Sequence, residues 1–345
     1  MRFDVAVAGG GPAASAAALF LAREGASVTI LERGGDAGDK PGESIAPAAR
    51  PLLEQLGMWD GLAHDGHLPC HGNRSSWGSD DVGELPFVFT PYGHGWHLDR
   101  RRFEKALYER ACAAGAVRRT HMRVVDAKRD RGGWRLCCEG GEHVEADVVI
   151  DATGRAGTIA RRQGAQRLID DTLIALVAFL PCEGEPDPDS FTLVEATEHG
   201  WWYTAPIPDG RLAAMFVTDA DIARTRDWES LLAPRTRARI EEHAYVLCDA
   251  PRRVDAGSAR LDRVAGDGWL AIGDAAMALD PLSSHGIASA LATGIAAAHA
   301  LLTNSAERYV HVVDAMWSGY VSSRRELYAQ ERRWRDAAFW RRRQA

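Results

Sequence analysis

The run Gly9-Gly10-Gly11-Pro12-Ala13-Ala14 sits between an apolar stretch at 3–8 (Phe-Asp-Val-Ala-Val-Ala) and an alanine-rich segment reaching Glu24. A short buried strand, a glycine turn and a helix opening on proline follow from that pattern. A second strand, Ser27 to Glu32, ends on an acid 18 residues past Ala14. In such a βαβ unit the glycines let the backbone approach a pyrophosphate. The helix start offers unpaired N–H groups, and the acid at the strand end binds a ribose hydroxyl. Gly9, Gly11, Pro12, Ala13, Ala14, Glu32 and the adjoining Arg33 are therefore nucleotide-site candidates. An ordinary glycine-rich turn is the competing reading, and the βαβ context weighs against it.

Downstream, Ser44 is expected to cap a helix carrying Leu52, Leu53 and Leu56 to a stop at Gly57. Loops and short strands fill 60–97. An amphipathic helix runs from Arg100 to about Gly115 with Phe103, Leu107 and Ala111 on one face. Strands are predicted at 121–126, 133–139 and 147–151. From Leu173 the pattern becomes that of an antiparallel sheet: runs at 173–180, 191–195, 200–205 and 211–217, separated by turn clusters. The strand 269–272 then leads into Gly273-Asp274 and a small-residue helix at 286–302, and 306–345 reads as helical. The expected fold is α/β: a Rossmann-type dinucleotide domain (1–75, 98–170 and 256–305) interrupted by an antiparallel substrate domain (76–97 and 171–255), with C-terminal helices.

The formal charge of −7 supplies no basic field for nucleic acid or an anionic membrane. No apolar stretch reaches 18 residues, and the N-terminus enters a strand without a basic leader. Six cysteines without CxxC spacing suit a reduced, cytoplasmic protein. His64, His67 and His71 do not make a metal site, because Gly66 and Pro69 break the helical spacing and no further ligand completes it. No metal is expected.

A second motif selects the nucleotide. Gly273-Asp274-Ala275-Ala276, followed by Asp280-Pro281-Leu282-Ser283-Ser284-His285-Gly286-Ile287, resembles the GD-plus-proline segment of flavoprotein monooxygenases and flavin-dependent halogenases. The resemblance implies FAD, with Asp274 on the ribityl chain and Pro281, His285, Gly286 and Ile287 against the isoalloxazine. A helix starting near Gly286 would aim its positive end at the reduced ring. His97-Leu98-Asp99-Arg100 through Glu104 resembles the family segment whose arginine approaches FAD, which assigns Arg100. Asp147 to Arg155 resembles the closing strand of the halogenase and geranylgeranyl-reductase branches. Pro41-Gly42-Glu43-Ser44 resembles a turn lying beside the flavin in the halogenase-like branch and adds Glu43 and Ser44.

Trp201-Trp202-Tyr203-Thr204-Ala205-Pro206-Ile207-Pro208 resembles the Trp-x-Trp-x-Ile-Pro segment of flavin halogenases, and equally suits the core face of a strand. Halogenases place a lysine between flavin and substrate. Between Lys40 and Lys105 this chain has none, and His285 stands where they place a threonine. Tyr328 to Arg343 resembles the tail of flavoproteins that modify a tryptophan in partner quinone-cofactor oxidases; from the residues alone it is a helix with a solvated arginine face able to steer an acidic partner.

These resemblances imply a monooxygenase that uses FAD, O2, and NAD(P)H or reduced flavin as electron donor. It would hydroxylate an electron-rich aromatic ring through a flavin C4a-hydroperoxide, with Glu43, His285 and Trp201 as catalytic candidates. A free aromatic metabolite and a tryptophan presented by a partner protein both stay open as substrate. An FAD-dependent alkene reductase and a flavin-stabilised partner-binding protein are the alternatives.

Overall fold

The computed structural model describes residues 2–34, 38–130 and 132–344. Its first sheet has eight strands, five of them parallel in the order Val117–Arg119, Val28–Leu31, Arg2–Ala8, His143–Asp151, Trp269–Ala271. Val28–Leu31 is buried throughout, as a parallel strand covered on both faces must be. Gly133–Cys138 and Val124–Asp130 extend the sheet as an antiparallel meander. The strand expected at 121–126 starts only at Val124, because His121 turns the chain through φ +60°. The short Val117–Arg119 strand before it carried no readable period.

The helices Pro12–Arg23 and Gly286–Leu302 approach so closely that only small residues fit between them. A Cβ added at Gly294 would lie 2.4 Å from the Ala13 carbonyl oxygen and 3.1 Å from Ala16 Cβ. Gly273, at φ +56°, abuts Ala13 as well. Two motifs from opposite ends of the chain thus share one contact.

The second sheet has seven strands in the order Arg252–Asp255, Leu173–Leu180, Leu212–Asp219, Gly200–Pro206, Thr192–Thr197, Gly72–Ser76, Gly83–Pro86. It is antiparallel except where Thr192–Thr197 runs parallel to Gly72–Ser76. Residues 72–75, expected with the first sheet, therefore belong to the second. Conversely Gly95–His97 joins Ser44–Ile45 and Leu68–Cys70 in a small three-stranded sheet.

One face of the second sheet packs Trp202 against Trp228 and Phe216. The other packs Trp201 against Tyr328, Phe339 and Trp340 from the C-terminus. This corrects the expectation for the tail. The helix Ala306–Gln330 stops, the chain turns, and a short helix Ala338–Arg341 lays Phe339 and Trp340, both fully buried, on the sheet. Arg342 pairs with Asp219 and Asp221 at 2.7 and 2.8 Å, Arg343 pairs with Asp219, and Arg333 takes Glu331 and Asp80. These three arginines are tied to their own domain, whereas Arg332, Arg335 and Arg341 of the tail are exposed. Trp340→Ala should cost about 3–5 kcal/mol of stability, read as a lowered midpoint in denaturant unfolding; an unchanged midpoint would place the tail off the core.

Candidate active site

The glycine turn is shaped from both sides. Gly9 adopts φ +115°, where a Cβ would strike the Ala152 carbonyl, and a Cβ at Gly10 would lie 2.5 Å from Glu32 Cδ. At Gly11 the same test finds open space. Gly11 is the N-cap of the helix Pro12–Arg23, and no side chain bonds its first N–H groups. The helix Gly286–Leu302 begins the same way: His285 is an N-cap without a side-chain bond, and open space lies over Gly286. Two long helices thus end in uncapped, accessible N-termini, which favour anions or developing negative charge.

Between them lies Asp274, its carboxylate close to half exposed and 3.7 Å from Arg155 Nε. Arg167 holds the Asp274 carbonyl at 3.0 Å. Glu32 accepts from Arg118 Nε at 2.9 Å, an anchor that no local pattern announced; Arg33 beside it is exposed. Ala13 and Ala14 are buried packing residues. Pro281 starts a one-turn helix tied by Asp280, which accepts from the Leu282 N–H at 2.9 Å. Ser284 follows at φ +52°, His285 is exposed, and Ile287 is buried. An extended dinucleotide running from Glu32 past Gly11 to Asp274 and Gly286 fits this set: a phosphate and a ring edge each find a cradle that a Cβ would fill.

Ser44 does not cap a helix. It lies in a strand opposite His97, and the following helical turn starts at Pro47. The Ser44 hydroxyl stands 2.8 Å from His97 Nδ1 and 2.7 Å from the Tyr203 hydroxyl. The directions follow from burial. His97 Nε2–H donates to the Ser190 carbonyl at 2.9 Å, and burial pulls this imidazole down to about 4, so it is neutral with Nδ1 as acceptor. Ser44 then donates to His97, and Tyr203 donates to Ser44. All three side chains act as internal scaffolding.

That scaffold holds Glu43, whose carbonyl accepts from the Leu98 N–H at 2.6 Å. The Glu43 side chain is buried, and its Oε1 has no partner. Burial raises its carboxyl to about 7, against the partial pull of Arg100. Arg100 donates to the Pro41 and Gly42 carbonyls at 2.7 and 3.0 Å and to Glu104 at 2.6 Å, stapling this turn to the helix Arg100–Ala113. Glu43 lines a cavity of about 270 Å³ with Leu98, Phe179, Ile207, Pro208 and Arg211. A second cavity of about 460 Å³, reaching Leu68 and His71, shares Ile207, Pro208 and Arg211 with it. Lys40 also lines the first, its ammonium held by Glu104. Phe179 and Arg211, the latter pinned by Asp39 at 2.6 Å, come from the far sheet and had no sequence signal.

Trp201 is brought to neither cavity. It is 1% exposed, and its N–H donates to the Tyr328 hydroxyl at 3.1 Å. This corrects its assignment as catalytic: strand alternation aims it at the aromatic core. His64, His67 and His71 turn to separate partners, and among the described residues no cluster of three metal-ligating side chains occurs.

The model of a family described as tryptophan halogenase matches residues 81–345. Among curated relatives, LodB of Marinomonas mediterranea, named as an FAD-dependent oxidoreductase, is 26% identical over 99% of this chain and 97% of its own. A menaquinone reductase of Mycolicibacterium smegmatis is 28% identical over 89% of the chain and 78% of its own. Among solved structures, the myxobacterial chondrochloren halogenase CndH superposes with TM-score 0.87 at 23% identity, over all of this chain and 86% of its own, and shows the same fold. QhpG, a peptidyl tryptophan dihydroxylase of tryptophylquinone cofactor biogenesis, matches with TM-score 0.77 at 25% identity, over all of this chain and 79% of its own.

Gly11→Val and Gly286→Val each fill open space, so both variants should fold yet bind FAD at least about tenfold more weakly in a fluorescence titration; unchanged affinity would remove these helix ends from the site. For Glu43, a carboxyl raised in the folded state loses stability as pH climbs from its unfolded value toward 7. Glu43→Gln escapes that loss, so its stability relative to wild type should rise by roughly 3 kcal/mol between about pH 5 and pH 8. A pH-independent difference would mean that Glu43 is solvated.

Proposed function

Because this chain belongs to the tryptophan halogenase family of FAD-dependent oxidoreductases, we propose that it is a monooxygenase that hydroxylates the indole ring of a tryptophan side chain within a partner polypeptide. One observation carries this reading: Glu43, buried and with its Oε1 unpartnered, lines a cavity of about 270 Å³ together with Phe179, Ile207 and Pro208. A cavity of that volume holds one aromatic side chain, and the neighbouring cavity of about 460 Å³, which shares Ile207, Pro208 and Arg211 with it, has room for the chain that bears it. QhpG, whose match spans the whole chain, acts on a peptidyl tryptophan.

FAD, when bound, would pass two electrons from NAD(P)H or a reduced flavin to O2, so that one oxygen atom enters the ring and the other leaves as water. The protein's own part is proton handling and orientation. An indole attacked by an electrophilic oxygen develops positive charge and must lose a proton. Glu43, poised near neutrality by burial, accepts that proton and stabilises the charge. Phe179 and the Ile207-Pro208 turn hold the ring, and Arg211 closes the wall.

Halogenation is the second reading, because Lys40 lines the same cavity. Its ammonium is committed to Glu104 at 2.5 Å, and it stands off the halogenase lysine's place in the sequence. Reduction of a long alkene fits less well: Asp39, Lys40, Asp99, Arg100, Arg101 and Asp209 leave the cavity without the apolar tunnel that a lipid chain needs. The reading is tested by incubating the FAD-loaded protein with NAD(P)H, a flavin reductase, O2 and a synthetic tryptophan peptide. The peptide should gain oxygen from labelled O2 whether or not chloride is present. Glu43→Gln should lower kcat by about 10²–10⁴-fold with little change in KM. A chlorinated product, or rapid turnover of a free indole with an untouched peptide, would replace this reading.

A further inference from the structure

Ten large apolar side chains are strongly exposed among the described residues, and five of them, Val82, Leu85, Val88, Phe89 and Tyr92, fall within eleven positions. Phe89 is 86% exposed, Val88 76% and Leu85 64%. Scattered single apolar residues are ordinary on a surface; a contiguous cluster marks an interaction site. The cluster sits on the terminal strand Gly83–Pro86 of the seven-stranded sheet and the one-turn helix Phe87–Phe89 after it. That strand pairs with Gly72–Ser76 on one side, and no strand among the described residues covers its other edge.

We propose that this edge docks an extended, basic segment of the polypeptide that presents the substrate, an inference that rests on the peptidyl reading above. Three observations select that occupant. An open strand edge offers backbone donors and acceptors at the spacing of another strand, which calls for a polypeptide in extended form. The turn after this strand also adjoins the site: the Phe87 N–H donates to the His71 carbonyl at 2.7 Å, His71 lines the 460 Å³ cavity, and that cavity shares Ile207 and Pro208 with the one Glu43 lines.

Charge supplies the third. Between Gly78 and Gly93 there are Asp80, Asp81 and Glu84 and no basic residue. Asp80 stays 94% exposed beside Arg333, and Glu84 is half exposed beside Arg74. Asp81 makes no ion pair among the described residues. A second copy would set these carboxylates against themselves, and an anionic membrane would repel them. A segment alternating apolar and basic residues meets both the apolar cluster and its acidic border.

The experiment uses the full FAD-loaded protein and a fluorescein-labelled peptide alternating valine and lysine around a central tryptophan, with glutamate replacing lysine as comparison. Anisotropy should show the lysine peptide bound about tenfold or more tightly than the glutamate one. The surface double variant Val88→Asp/Phe89→Asp should lose that binding by a similar factor, and Asp81→Lys should weaken it, while oxidation of free indole, if wild type shows any, stays unchanged in both. Equal binding by wild type and the double variant overturns the proposal. So does self-association, or attachment to anionic phosphatidylserine vesicles, that depends on Phe89. A peptide that binds through Phe89 without gaining oxygen supports the docking edge and removes the proposed activity, so the two readings fail separately.

Discussion

The carboxylate of Asp280 is the joint on which the candidate site hangs. It is 1% exposed and accepts from the Tyr328 hydroxyl at 2.8 Å and the Leu282 N–H at 2.9 Å. Its own backbone N–H donates to the Tyr320 hydroxyl at 3.0 Å. From there the donors run in one direction: Tyr320 to Ser258, and Ser258 to Asp171 at 2.9 Å, with Arg324 closing on Asp171 at 2.6 Å. A buried carboxylate is tolerated only when its lone pairs are satisfied; burial and the charge of Asp171 still push Asp280 up to about 6. Both tyrosines lie on the helix Ala306–Gln330, and Tyr328 also accepts from Trp201. The loop leading to Gly286 is thereby fixed to the C-terminal helix and the second sheet together, which sets where that helix N-terminus points.

A second balance sets the raised carboxyl of Glu43. Two cations lie close to it, Arg100 and Lys40, and both are taken by Glu104, at 2.6 and 2.5 Å. Arg100 also donates through Nη1 to the Pro41 and Gly42 carbonyls, and its buried Nε has no hydrogen-bond partner among the described residues. Among the described residues no ion pair forms to Glu43, so desolvation outweighs the attraction of Arg100 and its carboxyl rises. Contrast Asp187, equally enclosed, which is bonded by Arg239 at 2.6 Å and serves structure. The difference lies in which carboxylate the neighbouring guanidinium reaches.

The cofactor half of the molecule was legible because its information is local: a turn that needs glycine, a helix start that needs none of the usual caps, and an acid at a strand end all sit within a few residues of one another. What misled was always long-range. Ser44 looked like a cap because serine before a helix usually is one, but its partner strand begins 51 residues later at Gly95. Arg333, Arg342 and Arg343 of the tail looked solvated because Asp219, Asp221 and Asp80 lie more than a hundred positions away. Trp201 and Trp202 were separable by alternation into two faces, yet both faces of this sheet are buried, so alternation alone could not say which one meets a site. Phe179 and Arg211 joined the cavity only when strand order was known.

The uncapped helix ends tie cofactor and fold into one equilibrium. A side-chain cap is missing at Pro12–Arg23, where glycine at the N-cap costs only a few tenths of a kcal/mol, and at Gly286–Leu302, where the loss is about 1 kcal/mol; the two helices pack against each other through Ala13 and Gly294. Capping either with a serine or aspartate side chain would stabilise the free protein and fill the open space over Gly11 or Gly286. The helices therefore keep N–H groups whose partners a bound dinucleotide can supply, and its binding free energy then adds to stability by mass action. Because Gly273 and Gly294 both abut Ala13 or its neighbours, the two ends cannot move apart independently. Through Asp280 the loop before Gly286 is in turn bonded to the C-terminal helix, by Tyr328 at 2.8 Å and Tyr320 at 3.0 Å.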